Sequence, residues 1–493
     1  MIERKSLMQS PRWRRELALF VFFGVSTALI MSSSRYGVIT LLIVMAIPAV
    51  LLVPGVLATV ARSGRTLLRG FTWWQGMWLL LFVSGLVFRD RSIQEIQGET
   101  LDGWALFRVG FVAAAGTILL FKMARRQSAW PRYLFRGLVA WLATYSIVCV
   151  MSSLWSVFPS WTLYKSCEYF VDVAALAAVV ETARSGEAYK RLFDWTWTLL
   201  GLMMISAWIG LVVLPQDALV PSTGIFAVQL VGLMPNISSN TLGELGAIVG
   251  VIAFSRLLRG NNENAERAWY GALLIFGLVT MVFAQGRSGI LGFFVGLVLV
   301  LLVSGRVAVG LTLLAGAALI FIANGNAWGV VADFMRRGES EEELHSLSSR
   351  VEWWSLAWPA FLEHPLTGYG AFSGARFFVL AKNGLDVTGI HSDWVETLVG
   401  TGLWGFIPAL LALLATWREL VRRVRVRALT PLEQQLKVEA IGVLAVISVR
   451  SIFSNNLFWH PPIVFFAIVA YAQFLIIRRR HIVAMESSLV AAA

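Results

Sequence analysis

The sequence contains little charge, few cysteines and no stretch that looks like a separate soluble domain. Charged residues make up 14% of its 493 positions and hydrophobic residues 57%, whereas a soluble domain carries about 25% charged residues. This composition excludes an ordinary soluble enzyme. The two cysteines, Cys149 and Cys167, sit at the edges of apolar runs and match no metal or redox spacing. We expect both to be buried hydrophobic side chains.

Motifs that bind nucleotides or metals are also absent from the sequence. There is no P-loop, no G-x-G-x-x-G after a strand, no H-E-x-x-H and no cluster of cysteine and histidine with metal-ligand spacing. The acidic run 339–343 lacks the interspersed pattern of an oxygen-ligand site. The sequence therefore predicts a reaction that uses no metal and no cofactor.

Apolar runs long enough to cross a membrane, about 17–25 residues, recur along almost the whole chain. They predict an all-α polytopic membrane protein, a single bundle of about 12–14 membrane-spanning helices. Three regions are expected: an N-terminal bundle over 1–323, a large loop over 324–393, and C-terminal helices with a tail over 394–493. The candidate spans are 17–33, 36–60, 71–88, 104–122, 134–152, 166–183, 192–214, 237–257, 267–284, 288–304, 306–323, 394–417, 437–455 and 461–477.

The positive charge is distributed unevenly between the two sides of this bundle. The formal net charge is +12, and most lysines and arginines fall in alternate loops. By the positive-inside rule these loops are cytoplasmic, together with both termini. The charge is thus explained by topology, and no nucleic-acid partner is expected. We therefore expect the protein in an inner membrane, with the large loop 324–393 on the side away from the cytoplasm.

Three short stretches on that side place a cationic or titratable side chain at the predicted start of a helix. Arg287 precedes an apolar span. Arg350 follows a capping-box serine and opens an amphipathic helix whose tryptophans are expected at headgroup depth. His391 precedes the span that begins near Trp394, with Ser392 or the next residue as its N-cap. Helix N-termini bind anions, and the arginine fork matches a phosphate group.

His391 is the strongest candidate for proton transfer among the five histidines. It ends the large loop, where a rigid scaffold commonly carries a site, and the pKa of imidazole near neutrality suits a base. A helix-cap histidine at the membrane interface is the alternative. Arg450 lies in an apolar span near its outer end and either binds the same anion or pairs with an acidic residue such as Glu244, Glu168 or Asp172.

Five stretches, in this order and with this spacing, resemble motifs of the O-antigen ligase and polymerase superfamily. The sequence departs from the family pattern at Gly286, where the family has serine, and at Ser392, where it has asparagine. The stretches are FAQGRSG at 283–289, SRVEWW at 349–354, EHPLTGYG at 363–370, HSDWVE at 391–396 and GTGLWG at 400–405.

The resemblance implies a GT-C-type glycosyltransferase in the bacterial inner membrane, with its active site facing the periplasm. The implied donor is a glycan on undecaprenyl pyrophosphate, and in the ligase branch the acceptor is the lipid A–core oligosaccharide of lipopolysaccharide. His391 is implied as the general base. Arg287 and Arg350 are implied to neutralise the departing pyrophosphate, with Arg450 as a further candidate. Membrane lipid is a partner, and no metal or cofactor is implied.

Other functions stay open at this point. An O-antigen polymerase or a protein O-oligosaccharyltransferase of the same superfamily uses a similar donor, and no residue decides the acceptor on physical grounds. A lipid-linked glycan transporter or flippase needs no catalytic base. Its main support is the pair Glu168 and Asp172 on one face of a predicted span.

Overall fold

The structure is a computed structural model that describes residues 71–87, 89, 91–222, 228–259, 264–312, 315, 350–422 and 429–492, with side chains described as far as residue 480. The first two predicted spans, most of the span predicted at 306–323, and residues 324–349 of the predicted large loop lie outside these ranges.

Long helices account for most of the described chain and overlap the predicted apolar runs. Three of them begin six or seven residues before the predicted run, and the last continues 15 residues beyond its predicted end. Short helical segments connect them at Ile93–Gly98, Pro131–Leu134, Ser152–Leu154, Pro215–Ala218 and Gly374–Leu380, the last a π-helical turn. The long helices are α1 (Trp73–Leu86), α2 (Gly103–Ala124), α3 (Gly137–Met151), α4 (Pro159–Thr182), α5 (Gly186–Val213), α6 (Ser239–Leu257), α7 (Asn264–Ala284), α8 (Arg287–Val303), α9 (Arg350–Glu363), α10 (Asp393–Val421), α11 (Pro431–Phe453) and α12 (Ile463–Ala492).

Several of these helices are long and apolar enough to cross a membrane. Within the described ranges five meet that requirement: α2, α3 with the turn that extends it to Leu154, α5, α7 and α10. The chain is therefore a polytopic, mostly helical membrane protein, as predicted. The all-α prediction did not include one small sheet, in which β1 (Leu219–Pro221) pairs antiparallel with β2 (Val228–Leu230) in the loop after α5.

Glycines let α6, α7, α8 and α11 pack closely along their length. A Cβ at Gly246 on α6 would lie 2.6 Å from the carbonyl oxygen of Gly277 on α7. A Cβ at Gly296 on α8 would lie 2.8 Å from the carbonyl oxygen of Gly442 on α11. Small residues are the usual means of close approach between membrane helices. This packing brings the starts of α6 and α8 and the last turn of α11 to one end of the bundle, below called the His391 end.

Helix α10 is interrupted near that end, and the turn after α9 fills the interruption. Gly402 has φ 57° and ψ −158°, outside the helical region. The two N–H groups that follow it donate to the carbonyls of Pro365 and Leu366, at 2.8 and 3.1 Å. Tyr369 and Gly370 donate to α10 carbonyls just before the break, at 2.9 and 2.8 Å. Backbone groups inside a membrane must be satisfied by protein, so the turn and the break depend on each other.

Two smaller predictions are corrected by the packing. Cys149 is buried as expected, but Cys167 is exposed on the outward face of α4, so the expectation of two buried cysteines is wrong for that residue. The three tryptophans of α9 differ in their exposure. Trp353 and Trp354 pack against the protein, whereas Trp358 is 56% exposed. Only the last has the outward orientation that a headgroup contact requires.

Candidate functional site

His391 lies between the π-helical turn and α10 in a strained backbone conformation. Its φ is 56°, in the left-handed region that non-glycine residues rarely adopt. The preceding residue, Ile390, is held on both sides: its N–H donates to a carboxylate oxygen of Glu396 at 3.3 Å, and its carbonyl accepts the indole N–H of Trp354 at 3.2 Å. Such strain persists only where the surroundings fix it, and it concentrates at functional sites.

This conformation predicts an unusual order of stability for two substitutions. We expect His391→Gly to have a higher free energy of unfolding than His391→Ala by about 1 kcal/mol, because glycine adopts a positive φ without a Cβ clash. Denaturant titration of the two purified variants measures the difference. His364, whose φ is not positive, is the control, and there glycine should not be the more stable variant. Equal stability of the two His391 variants would contradict the strained backbone.

The surroundings of His391 favour its neutral form. The indole of Trp353 lies against it, with ring centroids 5.7 Å apart. Its pKa is lowered to about 4, first by burial and then by the positive charges of Arg350 on α9 and Arg450 on α11. An imidazole with this pKa is neutral across the physiological range, so its lone pair is free of a proton and it does not compete with the arginines for an anion, although the same shift makes it a weaker base.

Arg450 is buried and holds two partners at the His391 end. It is 1% exposed. Its Nε donates to a carboxylate oxygen of Glu244 at 3.2 Å and its Nη1 to the hydroxyl of Ser288 at 2.6 Å. Of the acidic partners considered from sequence, Glu244 is therefore the one it pairs with. Ser288 directly follows Arg287 in the sequence, so this contact brings Arg450 to the start of α8.

The other two acidic residues take different partners. Glu168 accepts from Arg108 through two hydrogen bonds, at 2.7 and 3.0 Å, and from Lys165 at 3.1 Å. Asp172 contacts Nδ1 of His460 at 2.7 Å. All of these side chains are buried in the bundle. The pairing gives Glu168 and Asp172 a structural role.

Arg287 is the first residue of α8. Its helix begins after Gly286, which as a glycine has no side chain to cap the helix. The chain enters through Gln285, a second non-glycine residue with positive φ, 51°, whose side-chain amide donates to the carbonyl of Val228 on β2 at 2.8 Å. The uncapped first turn and the guanidinium together form the kind of helix start that binds anions.

The start of α10 differs from the prediction. Ser392 occupies the N-cap position, but its side chain makes no capping hydrogen bond among the described residues. The carboxylate of Asp393 turns away from its own helix and accepts the backbone N–H groups of 456–458, at 2.9, 2.9 and 3.4 Å. The N–H of Asp393 donates to the carbonyl of Ser454 at 3.3 Å. The expected set of unpaired N–H groups is therefore partly occupied.

The four residues singled out from sequence lie at one end of the bundle. Arg350 and Arg450 lie near enough to His391 to lower its pKa, and Arg287 adjoins a hydrogen-bond partner of Arg450. Sequence reasoning missed the loop 454–462, which holds Asp393. The available signal was the polar pair at 455–456 between two apolar spans.

Acidic, histidine and cysteine side chains are the usual ligands of a metal site. Within the described ranges, no group of three or more of them is arranged to hold a metal ion. Arg287, Arg350 and Arg450, which lie at the His391 end, are side chains whose chemistry suits an anion.

Comparison with known families gives one match. Residues 272–410 match the family described as O-antigen ligase. This range includes Arg287, Arg350 and His391, and it leaves out Arg450. No curated protein sequence matches the chain. The matched region, which takes in α8, α9 and the broken first half of α10, is similar to the O-antigen ligase family.

Proposed function

We propose that the chain is an O-antigen ligase, a metal-independent, inverting glycosyltransferase. It moves a glycan from undecaprenyl pyrophosphate to a hydroxyl of the lipid A–core oligosaccharide. The observation that carries the proposal is a backbone-strained histidine, within the region that matches the family, whose pKa is lowered by burial and by the charges of Arg350 and Arg450.

The arginines suit the donor side of the reaction. As the bond between the anomeric carbon and the pyrophosphate breaks, the electron pair passes to a pyrophosphate oxygen and negative charge grows there. Arg287 and Arg350 supply fork-shaped donors for that charge. Arg450 already pairs with Glu244 and Ser288, so its contribution is chiefly electrostatic. A pyrophosphate ester is an activated leaving group, and the reaction needs no nucleotide.

His391 suits the acceptor side. The acceptor hydroxyl loses its proton to the imidazole while its oxygen bonds to the anomeric carbon from the face opposite the pyrophosphate. That geometry inverts the anomeric configuration. The neighbouring arginines hold His391 in the neutral form that this step requires. After transfer, the proton leaves the imidazolium for solvent.

The value of kcat/KM should therefore change little at moderately acidic pH. Because the pKa of His391 is lowered to about 4, the free protein keeps its base neutral well below the ordinary value of 6.5. We expect kcat/KM, which reports the free enzyme, to stay level as pH falls from neutrality and to decline only as pH approaches about 4. Bound pyrophosphate offsets the arginine charges and raises the pKa, so kcat should decline at a higher pH.

Arg350→Gln is the matched variant for this profile. It removes one of the two charges that lower the pKa of His391, so the acid limb of its kcat/KM should move to higher pH. An acid limb near 6.5 in the parent protein, or no shift in the variant, would argue against the assigned base.

We further propose that the His391 end faces the periplasm. Basic residues gather at the opposite end of the bundle, where α2 and α10 finish, and in the middle of α12. The positive-inside rule makes that end cytoplasmic. These residues include Arg125, Arg126, Arg132, Arg136, Arg184, Arg418, Arg422, Arg478, Arg479 and Arg480. The inner membrane, the lipid-linked donor and cytoplasmic termini all belong to this proposal.

Reconstitution tests the proposed activity. Purified protein in liposomes is supplied with undecaprenyl-pyrophosphate glycan, a chelator and no nucleotide. Three acceptors are then tested separately: lipid A–core, a second molecule of the lipid-linked glycan, and an acceptor protein. We expect glycan linked to lipid A–core and release of undecaprenyl pyrophosphate. Elongated lipid-linked glycan would instead identify a polymerase, and glycosylated protein an O-oligosaccharyltransferase. Movement of the donor across the bilayer without any covalent product would refute the enzymatic proposal.

A further inference from the structure

The loop 454–462, between α11 and α12, makes polar contacts with both halves of the candidate site. On the base side it receives Asp393, a residue that is 1% exposed and lies two positions after His391. Three successive backbone N–H groups of the loop converge on the Asp393 carboxylate, and the carbonyl of Ser454 accepts the N–H of Asp393. The start of α10 is thereby fixed to the loop from two directions.

One loop residue also reaches the arginine side. The backbone N–H of Asn456 donates to Asp393, while its side-chain amide donates to a carboxylate oxygen of Glu244 at 2.7 Å. The other oxygen of Glu244 accepts from Arg450 at 3.2 Å, and Arg450 donates to Ser288 at the start of α8. A continuous chain of hydrogen bonds thus runs from Asp393, two residues after His391, to Ser288, the residue after Arg287.

The far end of the loop is anchored independently. His460 is 2% exposed at its side chain. Its Nδ1 lies 2.7 Å from Asp172 on α4 and its Nε2 lies 2.7 Å from the hydroxyl of Ser84 on α1. The ring of Trp459 packs edge-on against Phe372, with centroids 5.3 Å apart. The loop therefore cannot shift with α10 alone, since α1 and α4 hold it in place.

We infer that Asp393 and Asn456 are positioning residues that set the distance between the base His391 and the arginines that receive the pyrophosphate. Neither needs to touch substrate. Their role depends on geometry, because the acceptor oxygen must be deprotonated while the leaving group is held in line, and a misplacement of about 1 Å costs about 100-fold in rate. The inference rests on the proposed function for its kinetic consequence.

Kinetics of matched variants provide the first test. We expect Asp393→Ala to lower kcat by about 100-fold with an unchanged KM for the donor. Asp393→Asn should recover part of the rate, because its side-chain carbonyl still accepts two of the three N–H groups. The kcat of Asn456→Ala, which leaves Asp393 intact, should lie between those of Asp393→Ala and Asp393→Asn. The controls Asp386→Asn and Asn383→Ala, which change side chains bonded to Ile93 and Val379, should keep full rate.

Chemical modification of His391 gives a readout that does not depend on turnover. Diethyl pyrocarbonate reacts with neutral imidazole, so the modification rate of each histidine against pH, followed by mass spectrometry, reports its pKa. In Asp393→Asn and Asn456→Ala the His391 ring should move relative to Arg350 and Arg450, and its pKa should rise; exposed His364 is the internal reference for the reagent. A merely structural loop would alter all histidines or none.

The outcomes separate the inference from the proposed function. Normal kcat and an unchanged His391 profile in both Asp393→Asn and Asn456→Ala would overturn the inference while the transferase activity stands. A shifted His391 profile in protein that transfers no glycan to any acceptor would refute the proposed function and preserve the positioning network. A raised KM at constant kcat would place these residues in substrate binding and also overturn the inference.

Discussion

His391→Ala should reduce kcat for glycan transfer by about 100- to 10,000-fold, the usual contribution of a general base. The loss should appear in kcat and leave donor affinity nearly unchanged, because the arginines that hold the pyrophosphate are intact. The backbone at this position is fixed by Glu396 and Trp354, so the variant keeps the path of the loop. Transfer by purified variant in liposomes, with donor binding measured in parallel, checks the result.

The control for this experiment is His364→Ala. His364 lies at the end of α9 on the same polypeptide segment, is exposed, and has no contact with the arginines among the described residues. It should retain full turnover. If His391→Ala stayed within about threefold of the parent, the assignment of the base would be wrong, since a positioned base contributes at least about 100-fold.

Replacing Arg287 or Arg350, the arginines proposed to bind the pyrophosphate of the glycan donor, should lower kcat by a similarly large factor, and lysine should restore part of the loss. We expect Arg287→Ala and Arg350→Ala each to lower kcat by about 100- to 1,000-fold, the cost of removing one preorganised donor to a developing anion. Lysine at either position should recover only part of the rate, because an ammonium group keeps the charge and loses the fork that matches two phosphate oxygens. Single-turnover assays with saturating donor measure the effect.

Arg89→Ala is the matched control at the same end of the bundle. Arg89 is 52% exposed and pairs with Glu95, so its removal should leave turnover unchanged. Full activity in the lysine variants would contradict bidentate recognition, and full activity in the alanine variants would exclude these arginines from the donor site. Arg450 is unsuited to this comparison, because its removal leaves buried Glu244 without its cationic partner.

The helices and the positions of Arg287 and Arg350 at helix starts were predictable from sequence because both depend on local signals. Apolar run length set the helices, and Arg287 and Arg350 each begin one, as the flanking residues indicated. Ser392 likewise occupies the predicted N-cap position. These features depend on neighbours within a few positions, which a single sequence contains.

What was missed depends on contacts between distant segments. The break at Gly402 is compensated by carbonyls at 365–366, and no local pattern distinguishes such a glycine from one in a continuous helix. Asp393 looked like a cap, but its carboxylate binds backbone N–H groups more than 60 positions away. Backbone donors carry no residue identity, so a partner of this kind leaves no mark on the sequence.

The most direct measurement is a cryo-electron microscopy structure of His391→Ala in lipid nanodiscs with undecaprenyl-pyrophosphate glycan and no acceptor, so that the donor stays intact. We expect the pyrophosphate at the end of the bundle where α8 and α10 begin, within about 3 Å of the guanidinium groups of Arg287 and Arg350, and the anomeric carbon facing the cavity left by the imidazole. A pyrophosphate bound at the opposite end of α8, or out of reach of both arginines, would contradict the proposed site.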